Sequence, residues 1–253
     1  MPDEEGRLDS AEIIAAVDAH EFETSALRER FDADYSLYRL EEYDAGADFA
    51  SYTSNEPMTY VDKIVGWLST SETVIRIPHR DSKRQKREQD TAKELFTIGI
   101  LNSADERLIE RLQPPFKEQL AWYIPLRGWY AVRALLRKKQ DGSTFVDITP
   151  WDPLHTFWGV GPDGLAWACY KASFTRAQIR ADYGVDLPGD LWRDTDAFDV
   201  YDFYDDQDNT VVIQELELKP RTPHGSPRVP VAIGMVGAMP MILITGQKPV
   251  MSA

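Results

Sequence analysis

Between Arg127 and Gly184 the sequence is cut into short aromatic and β-branched runs separated by tight-turn signals. This punctuation constrains the fold more than any other feature of the chain. Residues 129–136 are one such run. A turn at Asp141-Gly142 sends the chain back into Phe145-Val-Asp-Ile148, the pattern of a β-hairpin. Pro150 and Pro153 are expected to end that strand. Residues 156–160 and 165–170 predict a second hairpin around Gly161-Pro-Asp-Gly164. Thr175 then opens a helix: it is the N-cap, Gln178 completes a capping box, and Phe174 with Ile179 forms a hydrophobic staple. Gly184 suits a left-handed C-terminal cap. Residues 198–204 and 211–218 predict a third strand pair, joined by the acidic turn Asp205-Asp-Gln-Asp-Asn209, and residues 219–230 a proline-rich loop.

The residues before this stretch have a different period. Asp9, Glu12, Leu8 and Ile13 carry a capping box and staple at the start of a helix with Ile14 and Val17 on its apolar stripe. Leu27, Phe31 and Tyr35 place a second helix, which Tyr38 and Leu40 extend. Pro57 starts a third, with Val61, Ile64, Val65 and Leu68 at helical spacing. Thr73-Val-Ile-Arg-Ile77 is a short strand candidate. Ser103-Ala-Asp-Glu106 has the form of a capping box before Leu108, Ile109 and Leu112. Gln113-Pro-Pro115 separates that helix from one carrying Phe116, Leu120 and Trp122. Helices followed by antiparallel hairpins define an α+β class.

Charge narrows the functions available. The chain of 253 residues has 28 Lys and Arg against 42 Asp and Glu, a formal net charge of −14. Its first fifty residues alone hold fifteen Asp and Glu against four Arg. Such an arm repels phosphate, which disfavours sequence-specific nucleic-acid binding. The one strongly basic cluster, residues 79–87, spreads Lys83, Arg84, Lys86 and Arg87 around a helix instead of along one face. Glu88, Asp90 and Glu94 follow at pairing distance, so a solvated helix start is expected there. The single cysteine, Cys169, excludes a disulfide framework and reads as a buried thiol. Met1-Pro-Asp-Glu-Glu lacks the basic and apolar regions of a signal peptide. Prolines and glycines interrupt the uncharged stretch 229–247, which therefore predicts buried protein and no membrane span.

No residue set carries a catalytic, cofactor or metal signature. Gly159-Val-Gly161-Pro-Asp-Gly164 matches G-x-G-x-x-G, but a strand-like run follows where a phosphate-binding helix is needed, and the glycines are read as a hairpin turn. Asp152 and His155 could form an acid–base pair, yet no serine elbow or placed cysteine accompanies them, and Asp152 is expected to accept backbone hydrogen bonds at a strand end. The histidines His20, His79, His155 and His224 have no i, i+3 or i, i+4 partner, so no metal is expected.

Taken in order, Arg127-Gly-Trp-Tyr-Ala-Val-Arg133, Asp147-Ile-Thr-Pro-Trp-Asp-Pro153 and Phe174-Thr-Arg-Ala-Gln-Ile-Arg-Ala-Asp-Tyr-Gly184 resemble the N-terminal, wing-containing part of tailed-bacteriophage portal proteins, the head-to-tail connectors. Asn55-Glu-Pro57 before an amphipathic helix fits the same pattern, and the resemblance spans roughly residues 31–231. It implies a non-enzymatic structural subunit of a homo-oligomeric ring of about twelve copies at one capsid vertex of the virion, assembled in the host cytoplasm. Major capsid protein, terminase and head–tail adaptor proteins would be its partners, and double-stranded DNA would pass through the channel without sequence-specific binding. It also implies an acidic helical arm (1–50), a helical part of the wing (51–126), an antiparallel hairpin part (127–230) and an apolar lead-in (231–253) to a stem beyond Ala253. The alternatives from the residues themselves are a hydrolase using Asp152 and His155, or a viral adaptor or scaffold protein of another kind.

Overall fold

The computed structural model describes residues 7–42, 46, 52–77, 84–138, 141–187, 193–214 and 216–236. The expectations placed on His79, on Lys83, on the side chains of Arg84, Lys86 and Arg87, and on residues 237–253 lie outside them. The protein is α+β, with helices first and antiparallel strands after. By contact it divides into two compact units that interleave along the sequence. One comprises Met1–Arg30, Arg133–Leu136 and Trp151–Val231; the other comprises Phe31–Val132, Arg137–Pro150 and Ala232–Ala253.

The first unit is built on a five-stranded antiparallel sheet. Its strands are β3 (Thr156–Gly161), β4 (Gly164–Thr175), β5 (Ala197–Tyr204), β6 (Asp208–Ile213) and β7 (Leu216–Pro223), lying in chain order. Side chains alternate between faces along a strand, and both faces of β5 and β6 are buried. On one face Phe157, Cys169, Tyr201, Phe203 and Val212 pack under α1 (Ser10–Glu23), which inserts Ile13 and Val17. On the other, Phe198, Val200, Val211 and Ile213 pack under α6 (Arg176–Tyr183), which inserts Ile179.

Both covering helices start as their sequences require. Asp9 Oδ1 accepts the Glu12 N–H at 2.8 Å, and Glu12 Oε2 accepts the Asp9 N–H at 3.1 Å. Leu8 packs with Ile13 in the same core. Gln178 Oε1 accepts the Thr175 N–H at 2.8 Å, and Thr175 Oγ1 accepts the Gln178 N–H at 3.3 Å. Phe174 joins Ile179 in its cluster, and Gly184 adopts φ 68°, a conformation open to glycine at little cost.

The second unit contains most of α2 (Ser25–Tyr38), then α3 (Glu56–Thr70), α4 (Arg84–Glu110) and α5 (Phe116–Arg127). A three-stranded sheet in the order β2-β1-β8 follows, with β1 at Trp129–Lys138, β2 at Thr144–Trp151 and β8 at Val231–Met235. α3 packs along α5. Gly128, at φ 65°, ends α5 and turns the chain into β1. The buried Arg127 donates to the Phe31 carbonyl at 2.7 Å. Asp147, also buried, meets Arg137 at 3.0 Å and Arg111 at 3.8 Å.

Several expectations are corrected. Ser103 does not open a helix: α4 runs unbroken past it, and Ser103 Oγ accepts from the Arg107 guanidinium at 3.1 Å one turn on. Asp105 instead accepts the N–H of Phe116, the first residue of α5, at 2.6 Å. Residues 73–77 form no strand, and the Ile77 N–H instead donates to the Glu94 carboxylate at 2.7 Å. The run 211–218 is broken at Gln214, which turns at φ 51°, so β6 and β7 are separate and Leu216 is exposed while Leu218 is buried. β7 then carries on to Pro223 where a loop was expected; as an edge strand it tolerates prolines. β2 likewise runs through Pro150 to Trp151.

Thr175→Ala should lower stability by about 1 kcal/mol, and Ile179→Ala by about 2–5 kcal/mol, as read from urea unfolding. An unchanged midpoint for Ile179→Ala would contradict the packing of α6 on the sheet.

Candidate functional site

Asp152 and His155 sit at the 3₁₀ turn Pro153–His155 between β2 and β3. Asp152 Oδ1 accepts the Leu154 N–H at 2.9 Å, and its carbonyl accepts the His155 N–H at 3.0 Å and the Thr156 hydroxyl at 2.8 Å. Asp152 thus caps the turn, as a strand-end aspartate should. The His155 side chain is exposed, with its ring edge-on to Tyr170 at 6.3 Å. Burial, and then the charge of Asp152, push the Tyr170 phenol up to about 12.

Gly159-Val-Gly161-Pro-Asp-Gly164 is the β3–β4 hairpin, with Gly161 paired to Gly164. Gly164, at φ 114°, makes the reversal, and β4 follows it. Gly159 has its own reason: it lies opposite Trp167, and a Cβ there would meet the indole nitrogen at 2.1 Å. The glycine is a seat for an aromatic ring across the strands.

That ring belongs to an aromatic cluster around His20 of α1. The imidazole lies 4.5 Å from Trp158, 6.0 Å from Phe157 and 6.3 Å from Trp167, and Trp167 stacks on Phe203 at 5.8 Å. His20 Nδ1 is buried without a hydrogen-bond partner. Burial, and secondarily the charge of Arg28, lower the imidazole to about 4. Arg28 stacks on the Phe157 ring at 4.0 Å while donating to the carbonyls of Leu154 and Thr156.

Two polar networks went unseen in the sequence. In the first, Asp202 accepts from Arg133 Nη1 at 3.2 Å, from the Tyr204 hydroxyl at 3.2 Å and from Asn209 Nδ2 at 2.8 Å, and Lys219 donates to Asn209 Oδ1. The alternation of Asp202 and Tyr204 on β5 was the only signal available for it. In the second, Arg221 bridges Asp205, at 2.7 Å, and the Leu8 carbonyl, while Arg7 meets Asp208 at 3.3 Å and Gln207 at 3.2 Å. His224 Nδ1 accepts the Ser226 N–H at 3.0 Å, which leaves Nε2 to donate to the Asp205 carbonyl at 3.1 Å. Beside this network lies a cavity of about 450 Å³, lined among others by Arg7, Trp167, Phe203, Asp205 and Asp206.

Cys169 is fully buried, and burial pushes its thiol well above the ordinary range, the reverse of an activated nucleophile. Among the described residues, no three His, Cys, Asp or Glu side chains are grouped to hold a metal ion, and no helix is long and apolar enough to cross a membrane. No protein-family model matches the sequence, and the comparison with curated proteins gave no match.

His20 sets the sign of one pH effect. Its folded value of about 4 lies below the ordinary 6.5, so between the two the unfolded chain binds a proton that the folded chain does not. Stability from this group is complete above about 6.5 and is lost as pH falls towards about 4. The urea midpoint of wild type relative to His20→Phe should fall steadily across that window; a constant difference would contradict the assignment. For the hairpin, Gly159→Ala should cost about 1–3 kcal/mol by displacing Trp167. Calorimetric titration of wild type with ATP or NAD should give no saturable heat. Saturable binding abolished by Gly161→Val would favour a nucleotide enzyme.

Proposed function

We propose that this chain is a wedge of a viral portal ring: a structural subunit that encircles the DNA channel at a capsid vertex and works by assembly. The observation that carries this reading is an order, of helices and then a succession of antiparallel hairpins and one sharply capped helix. The portal-like motifs fall at its junctions. Arg127-Gly128 lies where α5 passes into β1, residues 147–153 run from the buried Asp147 through the end of β2 to the Asp152 turn, and residues 174–184 are α6 with both of its caps.

Electrostatics support a passage role. A chain with a formal net charge of −14 repels the phosphate backbone, so duplex DNA would slide past it without being held. The acid–base alternative is weakened by Asp152, whose carboxylate caps a backbone turn, and by the lack of a nucleophile within its motif.

Native mass spectrometry of the intact protein, under conditions where it is folded, tests the proposal. The reading expects a closed ring of about twelve copies with heterologous contacts between neighbours. A folded species that stays monomeric at every concentration, or that closes as a two-fold dimer, contradicts it.

A further inference from the structure

Two helices of the second unit expose what helices normally bury. α3 packs on α5 through the side that carries the buried Val61, and its opposite stripe presents Tyr60, Lys63, Gly66 and Trp67. Tyr60 is 65% exposed and Trp67, two turns on, is 72% exposed. α4 is inverted over its first half. Asp90 and Glu94 are buried there, Glu94 against Arg76 and the Ile77 N–H, while Leu95 and Phe96 are 64% and 70% exposed. The same outward stripe continues through Gly99 to Ile109.

The glycines add an independent mark. A glycine inside a helix costs about 1 kcal/mol relative to alanine. A Cβ added at Gly66 or at Gly99 would meet nothing within 4 Å, so neither is explained by packing within this chain. Each lies on an exposed apolar stripe, where it would let the backbone of a docked helix approach closely.

The α4 stripe is complemented better by α3 than by itself. The α3 stripe is aromatic, with the cation of Lys63 between Tyr60 and Trp67 and the carboxylate of Glu56 one turn before Tyr60. The α4 stripe carries Leu95, Phe96 and Ile109 together with the exposed carboxylates of Glu88, Glu106 and Glu110. Pairing α4 with α4 would set glutamates against glutamates, whereas α3 brings Lys63 to them, and α3 against α4 supplies the two different patches that a heterologous contact requires. The exposed parts of Tyr60, Trp67, Leu95 and Phe96 offer roughly 500 Å² in all. That is the core of a standard interface of about 1,600 Å², and too little alone for a tight one.

We infer that α3 of one copy docks on α4 of the next, a heterologous contact that repeats in one direction. This deepens the ring proposal and rests on it only for the premise that the partner is a second copy of this chain. The test uses the whole chain and two variants in sedimentation velocity. Wild type should associate reversibly beyond the dimer as concentration rises. Trp67→Glu and Phe96→Glu should each remain folded and monomeric, because each loses one of the two stripes. Their equimolar mixture should form a dimer, twice the monomer mass, and stop there, because the one intact stripe left on each variant completes a single contact. Ala92→Glu, on the same exposed stripe of α4, replaces Phe96→Glu should that variant not fold. Gly99→Ala should raise the thermal midpoint of the monomer while weakening association.

A wild type that stays monomeric at every concentration overturns the inference, as does a mixture that does not pair or either variant associating as wild type does. The monomeric wild type would remove the ring proposal as well, whereas the other two failures leave it standing on other contacts. Pairing of the mixture without a closed ring of the intact protein would instead keep this contact and remove the portal reading.

Discussion

Everything in the first unit depends on covering both faces of an antiparallel sheet. β6 is buried along its whole length, and β5 turns Tyr201 and Phe203 to one side and Phe198 and Val200 to the other. One cover, α6, comes from between β4 and β5. The other, α1, comes from the far end of the sequence and pins itself by contacts with residues more than 140 positions away. Lys171 holds Glu21 at 3.0 Å, and Arg221 holds the Leu8 carbonyl. Closing so long a loop costs entropy only logarithmically in its length, while burying Ile13 and Val17 returns roughly 2–3 kcal/mol each.

Much of this was legible locally. The capping boxes at Asp9 and Thr175, the αL glycine at Gly184 and the Gly161–Gly164 hairpin are short-range devices whose partners lie within a few residues, and they form as the sequence indicates. What could not be read was set by distant partners. Nothing near Ile13 and Val17 says that their stripe covers β3 and β4. The Ser103-x-x-Glu106 signature was overridden because no breaker stands between Gly99 and Glu110, so the helix continues and Ser103 serves Arg107 instead. The reversal at Gln214 has no glycine or proline to announce it. Of the candidate site, the capping role of Asp152 was visible in its Asp-Pro context, whereas the Asp202 network needed the register of β5 against β6 to bring Asn209 to it.

Among the described residues, three aspartates hold segments of the chain together. Asp147 is fixed by two arginines, Asp202 by three donors and Asp205 by two backbone N–H groups and Arg221. In the second unit, α3 and α4 expose Tyr60, Trp67, Leu95, Phe96 and Ile109, while Asp90 and Glu94 are turned inward. On the ring proposal, this exposed aromatic surface would be covered by a neighbouring copy.

Hydrogen–deuterium exchange, compared between dilute and assembled protein, tests that account most directly. Assembly should slow exchange in α3 and α4 and leave the amides of β5 and β6, already covered by α1 and α6, unchanged. Protection that instead appears along the edge strand β7, or nowhere, would contradict a ring built through the helical faces.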